Sequence, residues 1–401
     1  MKNIIYTLLI ACIVTSCADM PEEYGEQEQY MNITDAESVF IVSNSSINRT
    51  SSRSDSTANK VNKLFKLTED GAVEEVILTL EDNSTLTEIR EPLSIDSIEG
   101  YVIFTFGPDV IIPQTCYLVN ISTGKINDLG GVKRKCPVPQ GFSKQAKIFT
   151  DEQNNLYFRY GDVDNPNKTN VQRVNLEDMS KSMYSPDTAD VMNFMVDSFG
   201  NMVYTDWEEA EVILRKKDGE LYTLLNGEND ATASTYWIGL DGNIYIFDVN
   251  NDTVYRVTID SNGDVRKTLY ETSTAIMVNA DTEILKLNNN VVFVTYGDYS
   301  NITVDDGYNF KSMDIPFESI TNVRVSDKYV YLSGDKGLIK IDLFYDTITQ
   351  IYNEEIHDFD VTSNDSITFS YKNVLGKINE NGDVTITHHV DDKITNLKLI
   401  K

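Results

Sequence analysis

From residue 61 onward, apolar and polar positions alternate over runs of five to seven residues, and turn formers separate the runs. The most regular stretch lies between Tyr236 and Tyr270. Tyr236-Trp-Ile-Gly-Leu is followed by Asp241-Gly242 and then by Asn243-Ile-Tyr-Ile-Phe247. After Asp248 to Asp252 come Thr253-Val-Tyr-Arg-Val-Thr-Ile259, the turn Asp260-Ser-Asn-Gly-Asp264, and Val265-Arg-Lys-Thr-Leu-Tyr270. These four runs are rich in β-branched and aromatic residues, which suit a pleated, half-buried surface. Four short antiparallel strands in about 40 residues make one blade of a propeller. No stretch carries a convincing amphipathic-helix period.

The outer hairpin of this unit recurs along the chain. Its turn centres fall at Gly71, Gly124, Asp178, Gly219, Gly263, Asp346 and Gly382, and a weaker one at Gly307. The intervals run from roughly 36 to 54 residues, a period expected of stacked supersecondary units. The reading is an all-β propeller, eight-bladed with four-stranded antiparallel blades. Seven blades also satisfy the pattern if the first hairpin completes the last blade, or if 297–312 is a loop. Two smaller all-β domains split near residue 185 is the competing architecture. A ring is favoured because a radially repeated sheet removes its own exposed edges. Three segments are expected: 1–16, 17–60 and 61–392. The middle one reads as a polar acidic tether, interrupted by an apolar patch, Val39-Phe40-Ile41-Val42, that has the character of a strand joining the main body.

The chain begins differently. Met1-Lys2-Asn3 precedes an apolar run from Ile4 to Val14, about the length of a signal-peptide core and too short to span a bilayer. Val14-Thr15-Ser16-Cys17 resembles the lipobox of bacterial lipoproteins, and polar sequence follows at once. That resemblance implies cleavage before Cys17, acyl chains on Cys17, and a lipid-anchored place in the bacterial envelope, at the outer membrane or cell surface. The repeats over 61–392 resemble those of sequence-divergent propellers in envelope proteins. The tryptophan–aspartate blade ending and the kelch double glycine are both absent, so no named propeller family is indicated. Proteins of this type serve as scaffolds, binding subunits or surface proteins, and that is what the resemblance implies here.

Charge narrows the partners. The chain has 63 acidic residues against 34 Lys and Arg, a formal charge of −29. Such a surface repels a phosphate backbone, which argues against nucleic acid. Anionic lipid would repel it too, so membrane attachment falls to the acyl chains, each buried methylene contributing about 0.8 kcal/mol. Beyond Cys12 and Cys17, the cysteines are Cys116 in a strand-like run and Cys136 in a Lys-Arg-Lys-Cys-Pro loop. They are either a disulfide closing about 20 residues, worth about 3 kcal/mol, or two independent thiols.

Candidate chemistry is thin. The histidines, His357, His388 and His389, lack the His-x-x-x-His spacing of a zinc site. No Gly-x-Ser-x-Gly elbow occurs. Two turns carry part of a calcium loop: Asp248, Asn250 and Asp252, then Asp260, Asn262 and Asp264, with Glu271 at the twelfth position of the second. Both lack the sixth-position glycine, and Asp and Asn cap turns unaided, so plain turns are favoured. No cofactor is indicated. Most aromatic residues sit in strands and are expected in the core. Trp207, between Asp206 and the pair Glu208 and Glu209, is the loop aromatic expected at a binding face. The leading expectation is a binding or scaffold propeller for a protein or an extracellular polymer such as a polysaccharide. The alternative is a carboxylate- or calcium-dependent glycan hydrolase or lyase.

Overall fold

The computed structural model describes residues 29–43, 62–79, 85–86, 92–98, 100–106, 115–129, 147–161, 168–226, 235–248, 251–272, 282–296, 300–307, 309–390 and 392–400. The signal segment, Cys17, Cys136 and Asn250 lie outside them, as does the Glu271 side chain. Every element among the described residues is a strand, and no helix there is long and apolar enough to cross a membrane.

Eight four-stranded antiparallel sheets follow one another, and the fold is a β-propeller. Blade 5 is the unit read between Tyr236 and Tyr270: Thr235–Ile238, Ile244–Asp248, Thr253–Ile259 and Val265–Thr272. All eight turn centres lie between the third and fourth strands of a blade. The weak one, Gly307, joins Asn301–Asp305 to Phe310–Met313 in blade 6. Local side chains hold these turns. The Asn120 side-chain oxygen accepts the backbone N–H groups of Ser122 and Thr123, Asp342 does the same for Phe344 and Tyr345, and Asn379 for Asn381 and Asp383. Glycine is required at Gly124, where φ is 70° and a Cβ would lie 2.4 Å from the Met31 carbonyl oxygen.

Blade 1 departs from the rule. Its first strand is the chain's last, Lys393–Leu399, paired with Ala36–Ser43 and continued by Asn62–Thr68 and Val73–Glu75. The apolar patch Val39–Val42 is therefore inside the ring. The propeller begins before residue 61 and runs past residue 392, correcting the boundaries expected from the hairpins alone. Those hairpins marked only outer strands, and the closing pair comes from opposite ends of the chain. The closing strand also packs against the first strands of blade 2, Pro92–Ile98, and blade 8, Asp358–Val361. First strands therefore surround the axis.

The core lies between blades. Apolar residues of adjacent sheets interdigitate there, as Phe293, Trp237 and Phe310 do between blades 5 and 6. Trp237 is buried, its indole stacked on Tyr245 at 5.6 Å and edge-on to Phe293 at 4.9 Å. That is core packing, with no ring offered to a ligand.

Antiparallel order divides the connections between two ends of the ring. Turns from first to second and third to fourth strands share a hairpin end. Connections from second to third strands, and from each blade to the next, share a loop end.

Candidate functional site

Trp207 lies at the loop end, on the turn between the second and third strands of blade 4, Met202–Asp206 and Glu211–Arg215. Trp207 is 54% exposed, and Glu208 and Glu209 beside it are exposed as well. The turn beneath is fixed. Asp206 is buried, and its carboxylate accepts the N–H groups of Glu208 at 3.1 Å and Asp190 at 3.3 Å. The Trp207 backbone N–H donates to the Asp190 backbone carbonyl at 2.8 Å, and the Asp190 carboxylate accepts the Thr169 backbone N–H at 2.9 Å. Arg159 of blade 3 donates to the Val191 and Met192 carbonyls. Burial holds its guanidinium below the ordinary value, with the Asp190 carboxylate acting in the opposite direction. Blades 3 and 4 thus form a cross-linked platform carrying one projecting indole and two free-standing carboxylates. Of the four residues singled out in the sequence, three face solvent together. Asp206 turns inward and shapes the turn.

The second concentration of charge surrounds the axis, on the first strands of blades 7, 8 and 1. Arg324 of Ile320–Val325 lies 3.3 Å from Asp358 Oδ1 and 3.4 Å from Asp360 Oδ1. The first is a hydrogen-bonded ion pair. The second is an ion-pair contact without hydrogen-bond geometry. The other carboxylate oxygens accept backbone N–H groups of the closing strand: Asp358 from Leu397 and Asp360 from Leu399, both at 2.9 Å. Lys398 sits 3.5 Å from Asp360. Burial pushes the Asp358 carboxyl above its usual value, with Arg324 acting in the opposite direction. Burial also pulls the Arg324 guanidinium down, but Asp358 and Asp360 outweigh it and the group stays firmly charged. Nearby, Tyr296 donates to Glu283 at 2.6 Å, and burial followed by the Glu283 charge raises its phenol well above the ordinary value. The two aspartates are engaged by arginine and backbone together. Their chemistry is that of a clasp.

Sequence reading missed this clasp. Its signal is Asp358-Phe-Asp360, two carboxylates on one face of an otherwise apolar strand, with Arg324 about one repeat earlier.

The remaining sequence candidates are dispersed. Asp260 Oδ1 accepts the N–H groups of Asn262 at 2.8 Å and Asp264 at 3.0 Å, which lowers its pKa. Asp248 accepts both the backbone and side-chain N–H of Asn251, while Asp252 holds a left-handed φ of 50°. Among the described residues, no three His, Cys, Asp or Glu side chains gather to hold a metal ion. His388 Nε2 lies 2.7 Å from the Gly71 carbonyl, joining the outer edges of blades 8 and 1. Cys116 is buried in Thr115–Asn120.

No family model matches the chain. A curated Dictyostelium discoideum protein described as "Probable serine/threonine-protein kinase gdt4" is 20% identical over 276 residues, covering 68% of this chain. The chain spans 15% of that protein's length. Among solved structures, streptogramin B lyase is 17% identical, with a TM-score of 0.45 over 74% of this chain and 93% of that one. Virginiamycin B lyase from Staphylococcus aureus is 16% identical, with a TM-score of 0.42 over 61% of this chain and 84% of that one. The β-propeller domain of the Trilobed protease from Pyrococcus furiosus is 10% identical, with a TM-score of 0.45 over 76% and 97% of the two chains. The likeness is one of fold.

Proposed function

We propose that this chain is a lipid-anchored binding or scaffold module of a bacterial envelope, at the outer membrane or cell surface, and that it engages a protein or an extracellular polymer. The observation carrying the binding half is Trp207, exposed on a turn that Asp206 and Asp190 hold in place. A turn whose backbone is fixed before binding loses little conformational freedom when the aromatic it carries docks. Glu208, Glu209 and the overall charge of −29 suit a partner that presents basic groups, since an ammonium or guanidinium can sit over the indole beside carboxylates.

Anchoring rests on the apolar run Ile4 to Val14 and the box ending at Cys17. The test is metabolic labelling with a palmitate analogue. Wild type takes up label and Cys17→Ser does not; equal labelling of the two contradicts the anchor.

A further inference from the structure

Two arginines face each other across the outer part of the cleft between blades 3 and 4. Arg173 of Thr169–Asn175 is paired with Tyr157 on its inner side and Ser182 on its outer side. Directly paired residues share a sheet face. Tyr157 packs in the apolar cluster common to blades 3 and 4, so Arg173 is turned toward blade 4. Arg215 of Glu211–Arg215 is paired with Met202, a member of the same cluster, and is turned toward blade 3. One ring serves both arginines. The Tyr184 centroid lies 5.6 Å from the Arg173 guanidinium carbon and 4.0 Å from that of Arg215. Tyr184 is buried and its hydroxyl donates to the Gly200 carbonyl, so the ring forms a floor beneath two half-buried cations.

These charges are unbalanced. Arg173 Nε donates to the Ser182 hydroxyl and Arg215 to the Lys216 carbonyl, both at 3.2 Å. Among the described residues neither guanidinium forms an ion pair, and neither does Lys217 on the exposed turn after Arg215. Asp218 and Glu220 of that turn pair with Lys216, whose ammonium lies against Gly263 on the blade 5 side. Blade 5 shows the paired arrangement. Arg256 is opposite Tyr245 just as Arg173 is opposite Tyr157, and it meets Asp241 at 2.8 Å. In blade 3 the corresponding Asp151 is engaged by Asn155 and Tyr157. The chain has 63 acidic residues against 34 Lys and Arg, yet it leaves these partly desolvated arginines without a carboxylate. An incoming anion would return what that desolvation costs.

We infer that this notch binds a phosphate group in its dianionic form, free or as the monoester of a small molecule. Less than about 10 Å separates the two guanidinium carbons. A tetrahedral oxyanion crosses such a gap with a charge-assisted hydrogen bond of about 2.8 Å on each side. Its two charges match two arginines, whereas a carboxylate, a sulfate ester or a phosphodiester brings one. A polyanion would meet the acidic surface around the notch. The inference depends neither on lipid anchoring nor on Trp207.

The test is calorimetric titration of the full chain in detergent with inorganic phosphate, glycerol 3-phosphate, methyl sulfate and acetate, at ionic strength held constant with sodium chloride. Near neutral pH at least one phosphate probe binds with a dissociation constant of about 1 mM or tighter. Glycerol 3-phosphate binds the tighter if the ester is the ligand, and inorganic phosphate if the free ion is. Affinity for the ester falls several-fold at about pH 5, below the second phosphate pKa of about 6. Arg173→Met with Arg215→Met weakens binding at least about tenfold, while Trp207→Ala leaves it unchanged. If the double variant fails to melt cooperatively, Arg173→Lys and Lys217→Gln carry the comparison, each weakening binding about threefold or more. The inference is overturned if neither phosphate probe binds, if methyl sulfate or acetate binds at least as tightly, or if the folded variants retain wild-type affinity.

Discussion

The Asp358 carboxylate accepts the backbone N–H of Leu397 at 2.9 Å while its other oxygen faces Arg324 at 3.3 Å. The last strand of the chain has a neighbouring strand on one side only, so its other backbone groups need partners elsewhere. Asp358 and Asp360 supply them for Leu397 and Leu399, and Arg324 balances their charge. Removing Asp358 leaves the buried Arg324 with only the looser contact to Asp360 and the Leu397 N–H without its acceptor. Asp358→Ala should therefore destabilise the ring by about 3–5 kcal/mol in urea unfolding. The paired change Asp358→Leu with Arg324→Met should recover little of that loss, because buried Asp360 then keeps only Lys398, 3.5 Å away, as a counter-charge. A single-variant cost below about 1 kcal/mol, the level of an exposed pair, would show the clasp to be idle.

Truncation addresses closure more bluntly. Deleting residues 393–401 strips Ala36–Ser43 of its inner neighbour and exposes the first strands of blades 2 and 8. Cooperative thermal unfolding should be lost, since open edges in a radial sheet have no substitute partner. A truncated chain melting near the full-length temperature would argue that blade 1 is dispensable.

Acid should act through the turns. Burial raises the Asp151 pKa, yet hydrogen bonds from Asn155, Tyr157 and Gln153 outweigh it and leave the group below its ordinary 3.8. A depressed folded pKa means its contribution is complete above 3.8 and is lost as pH falls through the folded value. Asp197, which burial raises, works in the opposite direction above 3.8, so a single acid curve mixes the two. The comparison with Asp151→Asn separates them. The variant should be less stable than wild type by about 1 kcal/mol at pH 6, and the gap should narrow toward pH 3. A gap constant across that range would mean that Asp151 ionisation contributes nothing.

The acidic turns of blade 5 lead to a prediction about metal. Asp260 and Asp248 already accept hydrogen bonds within their own turns. The melting temperature should hardly differ between excess chelator and about 1 mM calcium, the weak end of protein calcium sites. A rise of several degrees that Asp260→Asn with Asp264→Asn abolishes would restore the metal reading.

The blades were legible because their signals are local. Strand alternation and an Asp or Asn cap before a glycine each span a few residues, and Gly71, Gly219 and Gly382 mark their turns without reference to the rest of the fold. Closure was less legible. Phe40 pairs with Leu397 across nearly the whole chain, and Lys393–Leu399 has no feature of its own that names its partner. The clasp was hidden for a related reason: Arg324 and Asp358 meet only because consecutive blades place their first strands side by side. Trp207 could be found as an exposed aromatic in an acidic loop. That Asp206 would turn inward to hold Asp190 depended on the path of the connection from blade 3.

The most direct measurement places a photo-crosslinking phenylalanine analogue at position 207 in cells, with a second variant carrying it at position 344. Phe344 is 85% exposed at the hairpin end and serves as the control. Irradiation should give a discrete adduct with a protein or polymer from position 207, and that adduct should be lost when Glu208 and Glu209 are both changed to lysine. No adduct at 207, or the same adducts from both positions, would contradict a binding face built around Trp207.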